Sequence, residues 1–273
     1  MTIPKIACIN DISGLGRCSL TTAISILSTL SCQPCPAPTS ILSKQTGFDD
    51  YYFFDMENRL DTYLKNWSDT AFDGIYTGFF GSTKQIDITL DFIENHENDK
   101  AKIIIDPVMG DDGELYPVFD KRYCNSMKNL ISIADIITPN VTEACLLSDT
   151  KFNGNNISIQ EAKALAQRLK KKGCQNVVIT GIKQGDEIIT FVLENSDEYY
   201  FHSPEVKTKY SGMGDLFSSI ITGLVMQKNN LKQSVKIASD FLYKAMKFTE
   251  GQSAVPLDGI AFEPLLNTLS KLF

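Results

Sequence analysis

The chain has 273 residues, 43% of them hydrophobic and 22% charged, with 26 Lys and Arg against 33 Asp and Glu and a formal charge of −7. That length can bury one large core without help from disulfides or structural metals, so a single domain over residues 1–273 is expected. An acidic balance without basic blocks argues against nucleic acid or an anionic membrane as the main partner, and no apolar run approaches the roughly 18 residues of a membrane helix.

The chain opens with Met1-Thr2-Ile3-Pro4-Lys5 and passes directly into a strand-like segment, without a signal-peptide layout. Seven scattered cysteines suit a reducing cytoplasm, which is the expected location. The first predicted strand is 5–9. Asp11-Ile12-Ser13-Gly14-Leu15-Gly16-Arg17-Cys18-Ser19 follows that strand and opens a helix. Gly14-x-Gly16-x-x-Ser19 comes close to the dinucleotide fingerprint, which makes an NAD-binding oxidoreductase a rival reading. That rival needs an acid at the end of the next strand, and the equivalent stretch, 39–44, has none. Cys32-Gln33-Pro34-Cys35 has redox spacing, but Pro34, Pro36 and Pro38 favour an extended segment over the helix start that activates a thiol. Tyr51-Tyr52-Phe53-Phe54 reads as core or interface.

Strands are predicted next over 72–77 and Lys102–Ile105. The second runs into Asp106-Pro107-Val108-Met109-Gly110-Asp111-Asp112-Gly113. Its acids suit Mg2+ held through water, or phosphates reached through the metal; the plain alternative is a turn with solvated acids. Residues 113–119 would form a mobile cover. A strand over 133–137 leads into Thr138-Pro139-Asn140-Val141-Thr142-Glu143, which reads first as a helix cap. Its functional reading puts Glu143 near a Mg2+-bound water and Asn140 near a nucleotide phosphate. Ser158-x-x-Glu161 is a capping box before the helical stripe Ala162, Leu165, Ala166 and Leu169. A strand over 176–180 follows, then an antiparallel hairpin near 188–201 from segments 188–193 and 198–201. Helices over 216–227 and 231–248 complete the pattern. His96 and His202, far apart and unsupported, read as surface residues. Strands alternating with helices give an α/β fold: a doubly wound, mostly parallel central sheet with helices on both faces. Ligands in such folds lie beyond the carboxyl ends of the strands.

Ser211-Gly212-Met213-Gly214-Asp215, immediately before an apolar helix, is the best candidate site. Two glycines allow close backbone approach, and free N–H groups at a helix start attract anions. Asp215 at that start can accept a hydroxyl proton while the N–H groups stabilise a transferring phosphoryl group. The plain alternative is a Gly-rich turn with Asp215 as a helix cap.

Together these segments resemble the ribokinase-like superfamily, and within it the pyridoxal kinases among the vitamin kinases. Gly212-Met213-Gly214-Asp215 resembles the G-T-G-D anion hole and base, with Met213 in place of Thr. Asp106-Pro-Val-Met-Gly-Asp111, Thr138-Pro-Asn140-x-x-Glu143 and Val178-Ile179-Thr180-Gly181 resemble further motifs of the group, in the same order, over a span from about Ile6 to about Glu250. The resemblance implies ATP-dependent phosphorylation of the hydroxymethyl group of pyridoxal or a related B6 vitamer (pyridoxine, pyridoxamine). It implies Asp215 as base, and Gly212, Met213 and Gly214 as anion hole. Asp106, Asn140, Glu143, Thr180 and Gly181 would handle ATP, with Asp106 and Glu143 reaching Mg2+ through water; a K+ requirement stays open. Thr46 and Gly47, in Gln45-Thr46-Gly47-Phe48, match a segment whose Thr contacts the pyridine ring, and Phe79 stands where a ring-contacting Tyr is common. Either Asn10 or Asp11 faces the ring. Asp11-x-Ser13-Gly14-x-Gly16 resembles the hydroxymethylpyrimidine kinases, which keeps such a kinase as the alternative. A homodimer is implied by the resemblance alone.

Overall fold

Small apolar residues alternate along Lys5–Leu15, so that Ala7 and Ile9 face one layer of helices and Ile6 and Cys8 the other, all four buried. The computed structural model, which describes residues 2–96, 101–252 and 254–272, sets this strand, β1, inside a nine-stranded sheet. The elements in chain order are β1, α1 (Ser19–Thr29), β2 (Gln33–Lys44), β3 (Phe53–Asp55), α2 (Glu57–Lys65), β4 (Gly74–Thr77), α3 (Thr83–Asn95), β5 (Lys102–Ile105), β6 (Gly110–Asp111), β7 (Glu114–Leu115) and α4 (Lys121–Ile131). There follow β8 (Ile136–Ile137), α5 (Val141–Leu147), α6 (Ile159–Lys170), β9 (Asn176–Gln184), β10 (Glu187–Glu194), β11 (Asp197–Pro204), α7 (Met213–Met226), α8 (Leu231–Gly251) and α9 (Leu266–Ser270). The strand order is β11-β10-β9-β8-β5-β4-β1-β2-β3. From β9 to β2 all neighbours run parallel, whereas β10, β11 and β3 join antiparallel. Helices α2 to α6 cover one face, and α1, α7 and α8 the other. Each buried Ile, Leu or Val in these layers contributes about 1.5–3 kcal/mol of hydrophobic stabilisation. Among the described residues no helix is long and apolar enough to cross a membrane.

The doubly wound α/β expectation holds, and so does the hairpin, which turns through Asn195 in the left-handed region (φ 52). Several boundaries differ. Strand β1 does not stop at Ile9: after a register shift between Asn10 and Ile12 it pairs with β2 as far as Leu15, so the glycine motif expected to follow the strand lies largely within it. Strand β2 contains Pro34, Pro36 and Pro38 because β1 lies on one side of them, while β3 pairs only with residues 40–42; on that open edge no N–H is required. Of the strand expected over 133–137 only Ile136–Ile137 forms, since Ile133 and Ala134 are tied back to the end of α4 through the Leu130 and Ile131 carbonyls.

Two side-chain expectations fail. His96 is buried, not superficial: its ring nitrogens lie 2.8 Å from the Phe92 carbonyl and 3.3 Å from the Trp67 carbonyl. Phe53 and Phe54 on the edge strand, and Tyr52 just before it, are exposed, so of the core-or-interface reading the core half is wrong.

Candidate active site

The carboxyl ends of β1, β4, β5 and β8 meet the start of α7, and polar residues crowd there because each strand ends on one: Asn10 and Asp11 in the run-on of β1, Thr77 in β4, Asp106 after β5, Thr138 after β8. Helix α7 begins at Met213, three residues before its apolar run, which places Asp215 in its first turn. Its cap is Gly212 in the left-handed conformation (φ 76); a Cβ there would come within 1.8 Å of the Arg17 carbonyl, so only glycine fits. No side chain caps this helix. Its first N–H groups are therefore free for an anion, with the helix dipole behind them. At Gly214 an added Cβ would lie 3.5 Å from Asp106 Oδ2, so the turn passes directly over that carboxylate.

Asp215 is half-buried, and its Oδ1 accepts from Asn10 Nδ2 at 3.3 Å. Asn10 Oδ1 accepts from the Phe79 N–H at 2.7 Å, and glycine at position 78 clears the space its amide occupies. Between Asn10 and Asp11, then, it is Asn10 that touches Asp215. Asp11 is buried beside it and accepts from Ser13 Oγ at 2.9 Å. Asp106 Oδ1 accepts from Thr138 Oγ1 at 3.3 Å, and that hydroxyl pairs with Ser218 Oγ at 2.9 Å.

Crowding raises these acids. Burial first, and the charge of Asp215 second, push Asp106 up to about 7. Burial pushes Asp11 up to about 6; the Ser19 and Ser13 hydroxyls oppose this, and the charge of Asp215 adds to it. Burial also raises Asp215, against the Ser19 N–H and the Asn10 amide, which favour its ionised form. Asp106 Oδ2 is buried without a partner, and a cation shared with phosphate oxygens fits that atom. Among the described residues no group of three His, Cys, Asp or Glu side chains is arranged to hold a metal alone.

A second group lies beside the first. Asn140 caps α5 and donates Nδ2 to the Gly110 carbonyl at 2.8 Å. Glu143 Oε2 accepts from the Asn140 N–H at 2.9 Å and Oε1 from the Met109 N–H at 3.1 Å. Burial, followed by the Asp106 charge, holds the Glu143 carboxyl well above the usual range. Thr180 forms a lone parallel bridge to Asn140, and Gly181 (φ 75) has open space where a side chain would be, at a break in the β9–β10 ladder.

On the other side, Thr46 and Gly47 stand on an exposed turn after β2, where the Gly47 N–H donates to Gln45 Oε1. Phe79 is partly buried, its ring 5.5 Å from that of Phe119, which stacks on Tyr123 at 3.7 Å. The expected cover begins as the two-residue hairpin β6–β7. Thr138, Ser218, Gln45 and Arg17 had no assigned role in the sequence. Ser218 was legible in principle, three residues after Asp215 on one helix; the others depend on contacts between distant segments.

The family model described as phosphomethylpyrimidine kinase matches residues 20–258. A crystal structure from Bacteroides thetaiotaomicron, provisionally described as a phosphomethylpyrimidine kinase and determined in this form with pyridoxal, is 35% identical with a TM-score of 0.93, covering 98% of this chain and 96% of that one. The pyridoxal kinase of Lactobacillus plantarum is 26% identical with a TM-score of 0.91, covering 99% and 98% of the two chains. The hydroxymethylpyrimidine/phosphomethylpyrimidine kinase of Haemophilus influenzae is 28% identical over 69% of this chain and 71% of its own length. The ribokinase-like vitamin kinase fold is thus shared across the whole sheet.

Proposed function

The chain belongs to the phosphomethylpyrimidine kinase family, and from that premise we propose that it transfers the γ-phosphoryl group of ATP to the hydroxymethyl group of pyridoxal or a related B6 vitamer. Like its homologues it is a phosphotransferase with an alcohol acceptor. The observation that carries the reading is the Asp215 carboxylate, held by Asn10 beside the uncapped N–H groups of α7. A base that takes the hydroxyl proton and donors for the phosphoryl oxygens then stand at one helix start. The pyridoxal in the Bacteroides relative supports a B6 acceptor.

In this reaction positioning and charge stabilisation do most of the work. Asp215 accepts the proton of the acceptor's hydroxymethyl group as its oxygen attacks the γ-phosphorus and the bond from that phosphorus to the departing ADP oxygen breaks. The backbone N–H groups of Gly212, Met213 and Gly214 stabilise the charge on the moving phosphoryl group; with Met213 in the place of Thr, the backbone donor remains and the hydroxyl is lost. Asn10 orients Asp215 and, through Phe79 N–H, ties it to the wall against which the ring of the acceptor packs, with Phe79 and Thr46 as ring contacts. Asn140, Thr180 and Gly181 border the nucleotide. Mg2+ bound with ATP would be held through Asp106, with Glu143 behind it, and would supply positive charge to the phosphates.

The second reading, phosphorylation of hydroxymethylpyrimidine by the same groups, is favoured by the Haemophilus relative. A coupled ADP-release assay with Mg2+ and ATP, offering pyridoxal, pyridoxine, pyridoxamine and hydroxymethylpyrimidine side by side, separates them. Preferred turnover of a B6 vitamer is expected. Preferred turnover of hydroxymethylpyrimidine would replace the first reading with the second.

A further inference from the structure

The turn bearing Gly212 and Asp215 is located from outside, by the segment 256–263 that follows α8 and crosses the exit of β1. Three successive carbonyls of this segment each accept from a different part of the site: Pro256 from the Ser211 N–H at 3.2 Å, Leu257 from Gln45 Nε2 at 3.2 Å, and Asp258 from the Arg17 N–H at 3.1 Å. Gln45 Nε2 also lies 3.1 Å from Ser211 Oγ, while its Oε1 accepts from the Gly47 N–H at 2.7 Å. The 45–47 turn, the anion-binding turn and the β1 exit thus share one strap.

Arg17 closes it. Its Nε donates to Glu263 Oε1 at 2.6 Å and its Nη1 to the Asp258 carbonyl at 3.4 Å. Its own carbonyl is the atom against which Gly212 rests. Gly259 (φ 81) lies so close that a Cβ would meet the Arg17 N, O and Cβ at 3.0 Å. Arg17 therefore touches the strap with its N–H, its guanidinium and its Cβ, and the turn with its carbonyl.

The geometry points to Arg17 as a positioning residue: clasped to Glu263 and the 256–263 strap, it fixes the 211–214 turn against the β1 exit and so sets where the anion-binding N–H groups stand during phosphoryl transfer. This rests on the reaction proposed above. Donors of this kind act because they are in place before the charge develops, and a shift of about 1 Å in a reacting group can cost about 100-fold in rate. The Arg17–Glu263 pair is itself partly exposed, 35% and 51% on the two side chains, and pairs of that kind add little to stability. Its loss should therefore appear in turnover and not in melting.

The test takes the full chain with Arg17→Met, Glu263→Gln, the double variant, Arg17→Lys and Gly259→Ala. We expect each of the first two to lower kcat about 3- to 10-fold, with KM for ATP and the melting temperature unchanged. The double variant should be no worse than the poorer single, because both cut one clasp. Arg17→Lys should recover part of the loss, and Gly259→Ala, which forces the strap off Arg17, should lose more than Glu263→Gln. Hydrogen exchange of the amides at 211–214 should quicken in Glu263→Gln while β4 and β5 stay unchanged; this readout needs no acceptor. Unchanged kcat and exchange in both singles would overturn the assignment, as would additive losses that follow a lowered melting temperature. Faster exchange at 211–214 in a protein whose wild type phosphorylates no B6 vitamer would support the strap while refuting the acceptor reading.

Discussion

Glu143 and Asp215 occupy the same place in two helices, the third residue after the cap, both at the carboxyl end of the sheet. Their surroundings differ because the caps differ. Helix α5 is capped by Asn140, whose side chain takes the Glu143 N–H while Glu143 returns its carboxylate to the Asn140 N–H, a complete capping box. Its other oxygen takes the Met109 N–H, so this acid ties the loop after β5 to the helix. Helix α7 is capped by Gly212, which has no side chain to offer and a left-handed backbone. No box can close, the N–H groups stay free, and Asp215 turns across the sheet to Asn10. The residue at the cap decides whether an acid in the first turn holds structure or is left for chemistry.

The sharpest break in the comparison is at Gly212. Gly212→Ala keeps a residue without a capping side chain but must leave the left-handed conformation and clear the Arg17 carbonyl. Turnover should fall at least about 100-fold and stability by about 1–3 kcal/mol, read by ADP release and urea unfolding. Near-normal values in both would show that the turn is not held as described. At the other helix, Glu143→Ala strands the Met109 and Asn140 N–H groups in the interior. The expected loss is about 2–6 kcal/mol at roughly 1–3 for each unpaired donor, and an unchanged urea midpoint would contradict the structural role.

A smaller effect concerns Asp106. Its carboxyl is pushed up from 3.8 to about 7, so the folded state binds a proton more tightly than the unfolded chain does. Stability from this group is therefore full below about pH 4 and lost as pH rises through about 7. Asp106→Asn removes that dependence: between pH 5 and pH 8 the wild type should lose a few °C more in melting temperature than the variant. Parallel melting curves across this range would mean that burial and the Asp215 charge do not hold Asp106 protonated.

Much of this was legible in the sequence. The alternation of apolar strands and helical stripes gave the doubly wound sheet, and the glycines and acids at strand ends marked the residues that the fold gathers around α7. What escaped was set by partners far along the chain. The strand β1 runs on to Leu15 because β2 is there to pair with it, and nothing in the polar Asn10-to-Gly16 stretch announces that. His96, next to Glu94 and Asn95, looks superficial until the Trp67 carbonyl reaches its ring. Glu143 read correctly as part of a cap, but its second bond, to Met109, belongs to a loop 34 residues away. Gln45 and Arg17 become meaningful only once 256–263 folds over them.

The most direct test of the central claim is the pH profile of kcat/KM for the wild type beside Asp215→Asn, with the preferred B6 vitamer and saturating Mg2+ and ATP. Asparagine keeps the shape and the amide neighbour but cannot take a proton. Because burial raises the Asp215 carboxyl, wild-type activity should fall on the acid side at a pH above the usual carboxylate range, and the variant should be at least about 100-fold slower at every pH with an unchanged melting temperature. A variant that keeps the wild-type rate and profile would contradict the assignment of Asp215 as the base.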